Sequence, residues 1–436
     1  MRFYLPAILL LINFHAFAQQ PAAGNLLPKW QEGYLDIHHI NTGRGNAALL
    51  ILPDATTMLI DAGELSPLDA RPFTARNASI KPDSSRKSYE WIVNYIRQVS
   101  PSDHLNYALI THFHDDHFGA WYPTAPLSSS KKYVLTGMTG VGSLMKIDVL
   151  IDRGFPYYDY PYDLKSFSDK YGGGEIEFGH TMNNYFSWLK EAMKSGMKVS
   201  SMRAGSRSQL LLQNKPARYP SFFIQNVKSN QWIWTGKDSS VFAHFPSIDS
   251  ANRKTWPDEN SVSLALTIHY GAFTYYTGGD NAGNVFPGDN PLRDVETPIA
   301  RVVGEVDVAV TDHHGNRDAV NEYMVKTLKP SVWIGQTWSS DHPGHEVLAR
   351  MTNQHIYSGP RDLFATNMLE ANRLVIGSLI DHSYKSQQGH VLVRVLPGGE
   401  TYYVIVLDDT RKDLVVKSIS GPYKSKSNNQ ILPKAK

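Results

Sequence analysis

Apolar and polar residues follow one another along this chain in an order that predicts a mixture of strands and helices. Three short apolar runs, separated by turn residues, predict strands at residues 34–40, 47–52 and 56–60. Residues 85–99 carry apolar side chains at helical spacing, and a Ser-Pro pair ends that helix. The next apolar run, residues 105–110, predicts a strand that ends just before a histidine-rich stretch.

The second half of the chain continues this alternation. Residues 319–328, and a later segment that ends at Met351, predict helices. Further apolar runs predict strands at residues 241–246, 261–269, 273–277, 306–310, 331–335, 389–396 and 402–407. Strands interleaved with helices are typical of an α/β fold.

A dense group of potential metal ligands follows the strand at residues 105–110. His112, His114, Asp116 and His117 form the pattern His-x-His-x-Asp-His. Side chains at i and i+2 of an extended chain point the same way, so His112 and His114 can bind one ion, and a turn after them would send Asp116 and His117 towards a second position. Imidazole and carboxylate without thiolate suit zinc, with manganese or iron as alternatives. The pattern therefore predicts a metal site on this loop.

This pattern after a strand resembles the metal-binding signature of the metallo-β-lactamase-fold hydrolases. The resemblance implies an αββα sandwich, in which two mixed sheets lie face to face with helices outside and a site for one or two metals at one edge. The turn Thr42-Gly43-Arg44-Gly45-Asn46 is similar to the Gly-x-Gly-Asp turn of the branch related to the competence protein ComEC, with Asn46 as a departure. The resemblance covers residues 34–120 and 232–408.

The same resemblance implies a set of metal ligands drawn from several segments. They are His112 and His114 for the first ion, Asp116, His117 and His313 for the second, and Asp280 for both. His314 is the alternative to His313. Members with two zincs usually carry a histidine where this chain has Asn260, and an amide oxygen is a poorer zinc ligand than imidazole. Asp258, water or His244 are therefore alternatives for completing the first site.

Two more residues have competing interpretations. Asp61 follows the third strand, where it either supports the metal loop through hydrogen bonds or caps a turn. His342 belongs to a His-Pro pair that resembles a feature of the ComEC-related branch. It is either an acid or anion ligand at the site or an ordinary loop residue.

Composition restricts the classes of function. A hydrophobic content of 42% and a charged content of 19% are typical of a globular protein. The formal net charge of +2 gives no electrostatic case for tight binding to nucleic acid or an anionic membrane. The chain contains no cysteine, which excludes disulfides and thiolate ligands. We expect a small-molecule or oligomeric substrate.

The two ends of the chain have their own predictions. One basic residue, a short apolar run and Ala16-Phe17-Ala18 predict that residues 1–18 are a signal peptide cleaved after Ala18. A membrane anchor, the alternative, needs about 20 apolar residues, and Asn13 and His15 interrupt the run. We therefore expect a periplasmic or secreted protein with one domain at residues 19–423 and a flexible tail at residues 424–436.

Residues 121–231 depart from the family outline. They contain clustered tyrosines at 157–162, three glycines at 172–174 and a short amphipathic helix at 185–193. We expect an insertion that forms a lid or substrate wall and supplies no metal ligand, since its histidine, His180, stands alone. The tyrosines either pack within the insertion, which we prefer, or stack on a substrate.

The implied activity is metal-assisted hydrolysis of an ester, amide or phosphodiester bond. Asp116 would orient the attacking water or pass its proton to the leaving group. A phosphodiester is slightly favoured because the branch includes DNA-uptake proteins. The sequence has no Gly-x-Ser-x-Gly motif to support a serine nucleophile. The alternative function is that of a catalytically idle protein that keeps the fold and binds a metal or ligand.

Overall fold

The computed structural model describes residues 21–68, 78–166, 176–248, 256–283 and 290–426. The predicted signal peptide and the triple glycine at 172–174 lie outside these ranges. Within them, no helix combines the length and the apolar character needed to cross a membrane.

The elements alternate along the chain much as the hydrophobic pattern predicts. The strands are β1 (Leu35–His39), β2 (Ala48–Ile51), β3 (Thr57–Ile60), β4 (His104–Leu109), β5 (Lys146–Asp152), β6 (Lys198–Ser201), β7 (Phe222–Ser229), β8 (Trp232–Trp234), β9 (Val241–Ala243), β10 (Ala265–Tyr270), β11 (Phe273–Thr277), β12 (Val308–Val310), β13 (Val332–Gly335), β14 (Asp362–Ala365), β15 (Tyr384–Ser386), β16 (His390–Val395), β17 (Thr401–Leu407) and β18 (Val416–Lys424). The helices are α1 (Ser88–Val99), α2 (Asp115–Phe118), α3 (Gly137–Leu144), α4 (Ile176–Lys194), α5 (Glu296–Val303), α6 (Glu322–Leu328), α7 (His345–Thr352), α8 (Glu370–Ile376) and α9 (Ser378–Ser383).

The described strands form two mixed sheets of nine strands each. The first has the order β18-β17-β16-β1-β2-β3-β4-β5-β6, and the second has the order β15-β14-β13-β12-β11-β10-β7-β8-β9. Parallel pairing runs from β3 to β6 in the first sheet and from β11 to β15 in the second. The expectation of a mixed α/β protein with two mixed sheets is confirmed.

Both faces of each sheet are buried, which explains why the central strands are continuously apolar. Leu49 and Leu50 are neighbours on β2 and point to opposite faces. Leu49 packs in a core with α1 residues such as Ile92, whereas Leu50 packs in a core with Ile268 of β10 in the second sheet. A third core joins the outer face of the second sheet to α5, α6 and α7. The layers therefore follow the order helices, sheet, sheet, helices.

We expected residues 121–231 to form an insertion that serves as a lid or substrate wall, but most of their described part belongs to the two sheets and the helices that cover them. This segment supplies β5 and β6 to the first sheet and β7 to the second. Helices α3 and α4 cover the first sheet, with Tyr185 and Trp188 buried in its core. Tyr158 is buried there as well, which supports packing as the role of that tyrosine. The apolar run of β5 was the local signal for this arrangement.

Several predicted boundaries shift for identifiable reasons. The strand expected from Ser261 begins at Ala265, because residues 260–262 form a 3-10 turn. The ammonium of buried Lys228 accounts for that turn, since it donates to the carbonyl oxygens of Ser261 and Ser263, each at 2.8 Å. Helix α6 begins at Glu322 rather than at 319, because the side chain of Asn321 caps it.

The chain stays ordered slightly beyond the point where we predicted a tail. Lys424 is the last residue of β18, and the backbone amide of Lys426 donates to Asp307 Oδ1 at 2.7 Å. Residues 427–436 lie outside the described ranges.

His269 on β10 is buried, which predicts that the free energy of unfolding falls in acid. Burial, and then the charge of Arg207, lower the pKa of His269 to about 3. In the unfolded chain the pKa returns to about 6.5, so below that pH the unfolded state binds a proton that the folded state does not. One such histidine should therefore reduce the free energy of unfolding by about 2 kcal/mol between pH 7 and pH 5.

Urea unfolding at pH 7 and pH 5, with a chelator present, tests this expectation. In His269→Gln the loss of stability between the two pH values should be smaller than in wild type by about 2 kcal/mol. The exposed His355 is a matched control, and His355→Gln should keep the wild-type dependence. If the two variants have the same pH dependence, His269 is not the group responsible.

Candidate metal centre

The candidate ligands meet where strands of both sheets end. The His-rich loop follows β4 of the first sheet, and Asp280 and the His313-His314 pair follow β11 and β12 of the second. Neighbouring parallel strands end at the same edge of a sheet, so these loops converge. A hydrogen bond from the backbone amide of Leu264 to the carbonyl of Thr111 joins the two sheets beside the loop (3.0 Å).

Asp61 holds the metal loop in place through hydrogen bonds. Its carboxylate accepts hydrogen bonds from the backbone amide and hydroxyl of Thr111, each at 2.8 Å. It also contacts His117 Nδ1 at 2.8 Å. A carboxylate at this position fixes the orientation of the imidazole and leaves Nε2 to face the site. Of the two interpretations of Asp61, the structure favours support of the loop.

Two overlapping groups of side chains could hold a metal ion. The first contains His112, His114 and Asp280, and the second contains Asp116, His117, Asp280 and His314. Within each group the potential ligand atoms all lie within 4.8 Å of one another. Asp280 belongs to both groups, with Oδ1 3.0 Å from His117 Nε2, and with Oδ2 3.8 Å from His112 Nε2 and 3.4 Å from His314 Nε2.

The two adjacent histidines, of which His313 was the preferred metal ligand, have different positions in the structure. His314 belongs to the second group, with Nε2 2.8 Å from Asp116 Oδ2. His313 lies outside that group, and its Nε2 is 3.8 Å from Asp280 Oδ2 on the side of Asn260. His313 Nδ1 contacts Asp318 Oδ1 at 2.7 Å, which orients this ring.

An unusual backbone produces this arrangement. His313 and His314 both have left-handed backbone angles, with φ of 45° and 56°. Non-glycine residues rarely adopt this conformation, and two in succession are found mainly where function requires them. The turn leaves both imidazoles close to one oxygen of Asp280, with His314 Nε2 3.4 Å and His313 Nε2 3.8 Å from Asp280 Oδ2. Residue spacing alone carries no signal for it, which is why the sequence could not decide between them.

Carboxylates and imidazoles lie close together at this site and shift one another's pKa values. Burial lowers the pKa of His117, but three surrounding carboxylates, led by Asp280, outweigh it and hold that pKa well above its usual value. Burial also lowers the pKa of His314, while Asp280 and a hydrogen bond with Asp116 raise it to about 9. Imidazole binds a metal in its neutral form, so the raised pKa values of these two histidines make metal binding dependent on pH.

The residues proposed to complete the first group have different positions. Asn260 lies at the site, with Nδ2 3.3 Å from His313 Nε2. Asp258 lies outside it, because its carboxylate accepts from the Ser261 amide and pairs with Arg293. His244 also lies outside, with Nε2 2.9 Å from the carbonyl oxygen of Leu292. His180 stacks on Trp121 and belongs to neither ligand group, as we expected.

A polar cavity of about 280 Å³ opens beside the two groups. Its lining residues are His114, Asp115, Asp116, Asn260, Asp280, His313, His314, Asn316, Trp338, Ser339, Asp341 and His342. Candidate ligands from both groups therefore face a space that a small substrate could enter. Closed structural metal sites lack such a space, whereas catalytic sites keep one position open.

His342 lies at this cavity rather than in a remote loop. Its ring stacks on that of His314 with centroids 4.6 Å apart, and the ring of Trp338 meets its edge. Burial, and then the charge of His314, lower the pKa of His342 well below its usual value.

The residues present fit a metal ion. Nε2 of His117 and Oδ1 of Asp280 are buried and lie 3.0 Å apart, and neither makes a hydrogen bond, although each belongs to a candidate ligand. Buried polar atoms normally find a partner, and a cation would supply one to both. Imidazole and carboxylate donors without sulfur are consistent with several divalent transition metals, so the donor set alone leaves the metal undetermined.

Glycines bring other loops close to the metal loop. A Cβ atom on Gly45 would lie 2.2 Å from the carbonyl oxygen of Asp116, and one on Gly63 would lie 2.0 Å from the same atom. That oxygen accepts a hydrogen bond from the backbone amide of Asn46 at 2.7 Å. The turn at residues 42–46 therefore packs directly on the segment that carries Asp116.

A scan of the chain against models of known protein families found no match, and a search of curated proteins found no significant similarity. The fold and the geometry of this centre are therefore the basis for any statement about function.

Proposed function

We propose that this protein is a metal-dependent hydrolase with a metallo-β-lactamase-like αββα fold, nearest in its motifs to the ComEC-related branch. The observation that carries the proposal is the pair of ligand groups that share Asp280 beside a polar cavity. Two groups that share one carboxylate are suited to two ions acting on the same substrate.

Zinc is the metal that we propose, as one or two ions, with Mn²⁺ and Fe²⁺ as the alternatives. A divalent metal bound here would polarise the bond under attack and make water a nucleophile near neutral pH. His313 replaces the missing histidine in this proposal, since it lies beside Asn260 and its Nε2 is 3.8 Å from Asp280 Oδ2.

The protein's own side chains would orient the reaction. Asp61 fixes the ring of His117, and Asp318 fixes the ring of His313. Asp116 lines the cavity, so we assign it the orientation of the attacking water or proton transfer to the leaving group. The ring of His342 would form part of the wall against which the substrate packs.

The proposed substrate is a small molecule or oligomer with an ester, amide or phosphodiester bond. A phosphodiester is slightly favoured, on the resemblance to the ComEC-related branch alone. We also propose a periplasmic or secreted location, on the character of residues 1–18. The second candidate function is metal or ligand binding without catalysis, for which the replacement of a ligand histidine by Asn260 is the supporting observation.

Turnover by the metal-loaded protein tests the proposal against this second candidate. We expect hydrolysis of at least one of four chromogenic compounds: a phosphodiester, a carboxylic ester, a lactone and a β-lactam. Asp116→Asn should lower turnover by about 100-fold or more, because it removes a carboxylate that faces both the cavity and the metals. His180→Ala is the control and should keep wild-type turnover. Bound metal with no turnover of any of the four would favour the binding protein.

A further inference from the structure

A buried ion pair lies directly behind the metal loop. Arg153, at the end of β5, is 1% exposed, and its guanidinium donates to both carboxylate oxygens of Glu259 at 2.7 and 2.5 Å. The guanidinium also lies over the ring of Phe113, 4.8 Å from its centroid. The pair therefore connects the segment after β5, the loop before β10 and the metal loop.

Glu259 also binds the backbone between two candidate ligands. Its Oε1 accepts a hydrogen bond from the backbone amide of Phe113 at 2.8 Å, and Phe113 separates His112 from His114. The two imidazoles face each other with His112 Nε2 3.1 Å from His114 Nδ1. A shift of the Phe113 amide would change the angle between these rings.

The residue after Glu259 reaches the same site from the other side. Asn260 lines the cavity and lies 3.3 Å from His313 Nε2. One carboxylate thus anchors both the segment that carries His112 and His114 and the segment that carries Asn260. Arg153 in turn is held by its own backbone carbonyl, which accepts from Asn230 Nδ2 at 2.7 Å, and by its donation to the carbonyl of Tyr160.

Stability alone is a weak reason to bury this pair. Removing two charges from water is costly, and apolar residues of similar volume often stabilise a protein equally well. A bidentate arginine and carboxylate do provide a fixed geometry, which apolar packing supplies less well. Here the Arg153–Glu259 pair holds the backbone amide of Phe113, which lies between the potential ligands His112 and His114.

We propose that Arg153 and Glu259 are positioning residues for the first ligand group, holding His112 and His114 so that both imidazoles face one ion. This inference rests on the proposed metal binding and extends it to residues that do not touch the metal. Its consequence is selective, since the second group has its own support in Asp61.

The chain contains a closely matched control pair. Arg394 donates to Asp36 at 2.9 and 2.6 Å, donates to the carbonyl of Pro28 and lies over the ring of Tyr34. Both residues are buried, and the pair lies within the first sheet between β1 and β16, away from the metal loop. Asp36→Asn therefore removes an equivalent charge without touching the candidate site.

The experiment compares Glu259→Gln with Asp36→Asn. Zinc stoichiometry and affinity would be measured by chelator competition, and stability by urea unfolding with EDTA present. We expect both variants to lose stability, and only Glu259→Gln to weaken one of the two zinc affinities, by about 10- to 100-fold. The amide exchange of Phe113 in the metal-free protein should accelerate in Glu259→Gln alone.

The outcomes separate the two proposals. Wild type that binds no zinc would overturn the proposed function, and this inference with it. Wild type that binds zinc, with Glu259→Gln unchanged in affinity, would overturn the positioning role alone. If Glu259→Gln does not fold, Arg153→Lys keeps the charge but loses the paired geometry, and wild-type zinc affinity in that variant would equally contradict the proposal.

Discussion

Asp280→Ala should remove nearly all bound metal from the protein. Among the residues that the structure describes, Asp280 is the one that belongs to both ligand groups, so its loss leaves each group a ligand short. We expect purified wild type to carry about one to two equivalents of a divalent transition metal and the variant to carry less than about 0.3. Elemental analysis after expression in zinc-supplemented medium measures both values.

Two further variants should be compared with Asp280→Ala. His114→Ala affects the first group only, so it should lower the metal content by about one equivalent if two ions bind. His244→Ala should leave the content unchanged, because His244 contacts a backbone carbonyl away from the site. Circular dichroism would establish that each variant is folded. Retention of the full metal content by folded Asp280→Ala would refute the shared-ligand arrangement.

Gly45→Ala should be among the most damaging single-methyl changes in the chain. Gly45 has a φ of 130°, and an added Cβ would lie 2.2 Å from the carbonyl oxygen of Asp116. The three nearest atoms all belong to the backbone of Asp116 rather than to a flexible side chain, so the turn or the metal loop has to move. We expect a loss of at least about 3 kcal/mol in the free energy of unfolding, from the clash and the backbone strain together.

Gly196→Ala separates the two contributions. Gly196 also has a positive φ, of 98°, but an added Cβ would meet nothing within 4 Å. Its substitution should therefore cost only the backbone strain, about 1 kcal/mol. Urea unfolding of both variants measures the difference. Equal destabilisation would mean that the close approach of Gly45 to Asp116 is not tight in solution.

Local patterns in the sequence account for the parts of the structure that were predicted correctly. The apolar runs of β1 to β4 and the periodicity of α1 are local signals, and each element forms close to its predicted bounds. The ligand spacing after β4 is also local. Asp280 was predicted because a strand and two glycines precede it, and it lies within the site.

The features that were missed depend on contacts between distant residues. Residues 121–231 contribute strands to both sheets. Their apolar runs are short, so the sequence alone could not show whether they form strands of the main sheets or a separate insertion. The choice of His314 over His313 follows from backbone angles that no spacing encodes. Three charged residues support the site through partners far along the chain or across a turn: Asp318, Arg153 and Glu259. Nothing local in the sequence distinguishes them from other charged residues, so these contacts could not be predicted.

The division of the ligands between the two sheets bears on how the protein could be assembled and handled. His112 and His114 come from one sheet, while Asp280 and His314 come from the other, so neither half of the chain contains a complete group. A bound ion would therefore link the two sheets reversibly. Removing the ion with a chelator should weaken the contact between the sheets at this edge first. Recombinant fragments that end between β6 and β7 would have no complete centre to load. Zinc added before the layers close would encounter only the ligands that follow β4, which are His112, His114, Asp116 and His117.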